Sequence, residues 1–156
     1  MRRLILLGVV LVTALAGSLV SALPAQAGAT SQTLTIKNGT DTFVDVNPCT
    51  GDPATISITF NAVMHLTFLD SGAVHGTETQ TGTFQLVPLG PSLPSFTGHF
   101  TQWDGFNANS RNFAATFTFH VSGTGSDGST LRFHEDAHFS VSAAGMTVEF
   151  DRPRCG

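Results

Sequence analysis

The chain of 156 residues has no tyrosine, one tryptophan and a single lysine, Lys37, and only 12% of its residues are charged. An average soluble protein carries roughly 25%. Few basic residues under an acidic balance, a formal charge of −4 with histidine neutral, argue against nucleic acid as a partner, because phosphate recognition needs a basic stripe. Two widely separated cysteines exclude the spacings of a zinc site. Gly-x-Ser-x-Gly and the Gly-x-x-x-x-Gly-Lys phosphate loop are missing. His134-Glu135-Asp136-Ala137-His138 has the letters of the zinc-protease motif and Gly123–Gly128 those of Gly-x-Gly-x-x-Gly, but both lie in a strand-and-turn pattern where those motifs need a helix. Along a strand His134 and His138 stand about 13 Å apart, too far to share one metal. Beyond residue 27 there is no sustained helical period, and no apolar run long enough to span a membrane as a helix.

What is present is phenylalanine, 13 residues of it, with 16 glycines and a 41% hydrophobic content that is too high for a disordered tail. The first segment reads as a leader. Arg2 and Arg3 precede an apolar stretch from Leu4 to Leu23, and Pro24 with Ala25-Gln26-Ala27 makes a small-x-small cleavage site before Gly28. Residues 1–27 are therefore expected to be a secretory signal peptide and 28–156 a single secreted, extracellular domain. An uncleaved membrane anchor is the competing reading. Cleavage leaves five basic residues against 11 acids, so a charge of 5 − 11 = −6. Cys49 and Cys155 are an even pair in an exported chain and are expected to form a disulfide.

Alternation with period two runs through the rest. Ile56, Ile58, Phe60, Ala62, Met64, Leu66 and Phe68 share one parity, as do Phe113, Ala115, Phe117, Phe119 and Val121, and Leu131, Phe133, Ala137, Phe139 and Val141. Each strand has one dry and one wet face, the habit of antiparallel sheets. Strands are predicted at 32–37, 42–47, 54–69, 73–88, 96–106, 113–124, 130–142 and 146–152, separated by turn signals such as Asn38-Gly39, Asp70-Ser71-Gly72 and Ser126-Asp127-Gly128. Parity decides the register. A two-residue turn at Asp127-Gly128 would turn Phe119 toward a polar face, whereas a three-residue loop ending in a left-handed Gly128 keeps the apolar faces together. It sets Phe117 opposite Ala137, Val121 opposite Phe133 and His120 opposite His134. The same reasoning sets Phe68 opposite Val74 and Ile58 opposite Phe84. Eight consecutive strands imply an all-β, antiparallel up-and-down β-barrel, which removes sheet edges. A two-sheet β-sandwich is the alternative.

Several stretches, Asn47-Pro48-Cys49, Pro91-Ser92-Leu93-Pro94, the run from Gly123 to His134, Ala137 to Ser142 and Arg152-Pro153-Arg154-Cys155, resemble a group of small secreted actinobacterial β-rich proteins of unknown function. The resemblance implies secretion and a β fold, and it brings no catalytic residue with it.

Three groups of residues are candidates for a site. Glu78, Gln80, Gln102, Asp104 and Glu135 share the parity of the Phe-rich face, so they are expected to point inward beside Phe117 and Phe119. A Phe-lined hollow with a few polar groups is the usual form of a small-ligand site. The competing reading places them in water at open barrel ends, or pairs Glu135 with Arg152. All six histidines, His65, His75, His99, His120, His134 and His138, fall on the outer parity. His120 and His134 are expected cross-strand neighbours with Asp136 two residues along, a group that could hold Zn²⁺ or Cu²⁺; the preferred reading is a solvated polar face. The segment Thr101–Asn112, in which Trp103 adjoins an amide-rich loop with one arginine, could stack on and hydrogen-bond a sugar, or simply be a hairpin loop with a covering ring. The expected function is binding of a small, mainly apolar ligand inside a secreted barrel, a monomer without cofactor or metal, with no membrane contact after cleavage. The alternatives are a cyclase- or isomerase-like barrel enzyme using interior carboxylates, and a cell-envelope interaction or structural protein without ligand.

Overall fold

The computed structural model describes residues 29–156, so the leader segment lies outside the described residues. Every regular element among them is a strand: β1 (Thr30–Val46), β2 (Pro53–Phe68), β3 (Val74–Pro88), β4 (Phe96–Ala108), β5 (Phe113–Gly125), β6 (Thr130–Ser142) and β7 (Gly145–Cys155). They form one antiparallel up-and-down sheet in the order β1-β2-β3-β4-β5-β6-β7.

The hairpins follow the chemistry of their turns. Gly72 and Gly128 adopt φ values of 77° and 84°, in the left-handed region where a Cβ is unfavourable. Gly125 N–H donates to Ser129 O at 2.7 Å and Gly128 N–H to Gly125 O at 3.0 Å, closing the three-residue loop 126–128. The registers Phe117–Ala137, Val121–Phe133 and His120–His134 follow, as do Phe68–Val74 and Ile58–Phe84 across the first glycine loop.

The first expected hairpin does not exist. Asn38-Gly39 is a bulge inside one long strand: Ile36 pairs with Ala62 and Gly39 with Phe60, so β1 carries an extra residue. Asn38 sits at φ 52° and its N–H donates to Asn61 Oδ1 at 3.0 Å. A left-handed Asn serves a bulge as well as a turn, and the two are alike in local sequence. The extra residue reverses the parity of the strand, so Phe43, opposite Ile56, joins Leu34 and Ile36 on the inner face.

The described residues therefore form seven strands instead of about eight, and their sheet is not closed into the expected barrel; as a single sheet it is not the sandwich either. The odd number supplies the reason. In an up-and-down sheet an eighth strand would meet the first antiparallel, whereas β1 and β7 run parallel, and a parallel ladder is slanted and slightly weaker. Pro153 on β7 also has no N–H to give. A disulfide clips the seam at one end. Because β1 and β7 point the same way, their C-terminal ends lie together, and Cys49 joins Cys155 with the Cα atoms 5.7 Å apart.

The sheet is strongly curled, and its inner face carries two apolar clusters. One draws on β2 to β6, with Ile56, Phe60, Phe84, Leu86, Phe100 and Leu131 among its members. The other, near the opposite end, holds Met64, Leu66 and Phe106 with Leu34 and Phe113 packed on them. Gly76 allows part of this close packing: a Cβ there would collide with the Phe106 ring. On β7 a second bulge displaces the register, since His138 pairs with Phe150 but Phe139 with Val148, leaving Glu149 as the extra residue.

Candidate functional site

Between the two apolar clusters lies a belt of polar side chains, and the register shows how it is assembled. One row across the sheet runs Ala62, Gln80, Gln102, Phe119, Glu135; the next runs Met64, Glu78, Asp104, Phe117, Ala137, Asp151. Glu78 and Asp104 are thus direct cross-strand neighbours, a spacing at which side chains interact. Gln102 Nε2 donates to Asp104 Oδ2 at 2.7 Å.

Next to this belt is a cavity of about 150 Å³, walled by apolar side chains including Phe43, Ile58, Phe60, Phe84, Phe119 and Val121. Its polar lining comes from Glu78, Gln80 and Gln102, with Asp41, exposed on β1, at the rim. Of the residues expected at a site, Glu78, Gln80, Gln102 and Phe119 line this cavity, while Asp104, Phe117 and Glu135 are not part of its wall. Glu135 is buried at 3% exposure, and Phe117 is half-buried between Asp104 and Ala137.

The electrostatics follow from burial. Glu78, 6% exposed, is pushed up to about 7, first by loss of water and then by the negative charge of Asp104. Burial also raises Asp104 to about 6, and the Gln102 amide opposes the rise by bonding the charged form. Asp104 ionises first, and its charge then holds the proton on Glu78. Glu135 stands at about 7, chiefly through burial and further through its hydrogen bond with, and the charge of, Asp151.

The pairing of Glu135 with Arg152, one form of the competing reading, is not formed. Ser142 pairs with Gly145 and Val141 with Met146, as that pairing requires, but the Glu149 bulge then shifts β7 by one residue. Pro153 comes opposite Glu135, and Arg152 comes opposite Asp136 on the outer face, where its guanidinium lies 4.9 Å from the centre of the Phe150 ring. The same shift brings Asp151 and Cys155 to the inner parity. Asp41, Asp45 and Asp151 therefore belong to the inner face, and reading the sequence missed all three because each follows a bulge. The signal for the first bulge was available: the apolar parity changes between Ile36 and Phe43.

On the outer face, all six histidines stand where parity put them. His134 Nδ1 is 3.0 Å from His120 Nε2, and His134 Nε2 is 2.7 Å from Asp136 Oδ2. His65 bonds Thr33, His75 bonds Asn107, and His138 bonds Thr116. Trp103 is 45% exposed on this face. The nearby Asn109 side chain is committed to its own loop, accepting the N–H groups of Arg111 and Asn112 at 2.9 Å. No three His, Cys, Asp or Glu side chains among the described residues converge on a point where one metal ion could sit. No family model, curated protein or solved structure matches this chain.

Proposed function

We propose that the protein binds a small, mainly apolar molecule carrying one hydroxyl or amine in the hollow of its curled sheet. The observation that carries this reading is the cavity of about 150 Å³ with Phe and Ile walls and three polar side chains, Glu78, Gln80 and Gln102, on one side. An apolar cavity of about that size holds a benzene-sized molecule, and the few polar groups would orient it. Secretion, proposed from the leader segment, agrees with the Cys49–Cys155 disulfide, a bond that persists in oxidising compartments.

The test is titration with p-cresol and toluene, followed by amide NMR shifts and by the fluorescence of Phe119→Trp. Both should bind saturably at the cavity, p-cresol several-fold more tightly because Glu78 can accept its hydroxyl. Ile58→Trp fills the space and should abolish binding of both. Shifts that do not saturate, or binding untouched by Ile58→Trp, would end the ligand-binding reading.

The Glu78–Asp104 juxtaposition favours a second reading, an acid–base enzyme of the cyclase or isomerase kind. A carboxyl at about 7 is suited to exchanging protons near neutral pH. Under this reading Glu78→Gln retains binding of a turned-over ligand but loses its conversion; under the first reading only affinity changes.

A further inference from the structure

We propose that the outer face of the sheet carries a copper(II) site built on His120 and His134, with Asp136 as the residue that positions the second imidazole. The two histidines are directly opposed on β5 and β6, and His134 Nδ1 lies 3.0 Å from His120 Nε2 and 3.1 Å from His120 Nδ1, so a turn of the His120 ring brings either nitrogen to a shared ion. Two nitrogens each about 2.0–2.1 Å from one ion, the ordinary metal–imidazole distance, are separated by about that much when they occupy adjacent corners of a square. Imidazole suits copper, which also stands at the top of the divalent affinity order.

The second observation is what holds His134. Its Nε2 is 2.7 Å from Asp136 Oδ2, and Asp136 is itself held by the Thr118 hydroxyl at 3.0 Å and by Arg154 at 3.9 Å. With Nε2–H donated to the carboxylate, the lone pair is on Nδ1, the atom that faces His120. A metal-ligating histidine characteristically gives its other N–H to a carboxylate in this way.

The two imidazoles border an open hollow of about 540 Å³ that also has His99, Arg132 and Arg154 in its wall. Two protein nitrogens leave positions to be completed by water or an anion, and the two arginines favour an anion there. His99, on β4, pairs with Ser122 and so lies diagonally from His120. Among the described residues no three His, Cys, Asp or Glu side chains are placed to hold one ion, so His99 is not counted as a ligand.

The experiment is titration of the folded, disulfide-bonded protein with copper(II) chloride near neutral pH in a buffer that does not chelate. Calorimetry gives affinity, and electron paramagnetic resonance counts the coordinating nitrogens. The expected result is one ion per chain with two imidazole nitrogens. His120→Thr and His134→Thr, both well suited to a strand surface, should each lower affinity more than tenfold. Asp136→Asn should lower it about tenfold while the spectrum keeps two nitrogens, the usual consequence of removing an outer-shell partner. His65→Thr and His75→Thr should change nothing. Circular dichroism confirms that each variant is folded. Absence of copper binding, or binding of full strength in folded His120→Thr, overturns the proposal.

Discussion

Glu78→Gln is the substitution in which the interior belt makes its largest measurable difference. Glu78 is buried and opposite Asp104, and its folded pKa is about 7 against an ordinary 4.5. A carboxyl raised in this way binds its proton more tightly in the folded state than in the unfolded one. Between pH 4.5 and 7 the unfolded chain releases the proton while the folded chain keeps it, so stability falls as pH rises and levels off above 7. At 1.36 kcal/mol for each tenfold change in proton affinity, the contribution lost between pH 4.5 and 8 is about 3 kcal/mol. Glutamine has nearly the shape of the protonated acid and does not ionise. The variant should match the parent near pH 4.5 and exceed it by about 3 kcal/mol at pH 8. Urea unfolding followed by far-ultraviolet circular dichroism, with the disulfide intact, measures this at four or five pH values. A constant difference between the two proteins across the range would refute the reasoning, because it would mean that Glu78 is hydrated and ionised throughout.

Two further expectations concern the seam and the second carboxyl pair. Reducing Cys49–Cys155, which spans 106 positions, should destabilise the fold by up to about 4.7 kcal/mol, the loop-entropy value for a closed loop of roughly 100 residues; an unchanged urea midpoint in reductant would show that the open sheet does not depend on its clip. Asp151→Asn removes the charge beside Glu135, so a carbon-detected carboxyl titration should show Glu135 moving down from about 7 while staying above its ordinary value because burial remains. An unmoved Glu135 would separate the two groups.

The local periods of this chain are legible because each depends on neighbours in sequence. Alternation of Phe, Leu and Ile with Thr, Ser and His is sufficient for strands. Glycine at Gly72 and Gly128 is sufficient for three-residue loops, and those loops with the parity rule set the β2–β3 and β5–β6 registers. The same logic brought His120 and His134 face to face and placed Glu78, Gln80, Gln102 and Asp104 on the inner side. The pairing of Cys49 with Cys155 needed only their even number and the expected export.

The bulges were decided elsewhere. Asn38-Gly39 can turn a hairpin or bulge a strand, and what selects the bulge is the continuous pairing of Thr30 to Val46 with β2. That choice made the strand number odd, which set β1 and β7 parallel and left the sheet open. The Glu149 bulge has no evident local mark in sequence, yet it moves Arg152 outward and Asp151 inward, so that Glu135 neighbours an acid where the unshifted register would have given it an arginine. A one-residue insertion leaves local propensity almost unchanged and reverses every side chain beyond it. Only the pairing of whole strands, a tertiary property, carries enough free energy to choose between the two arrangements.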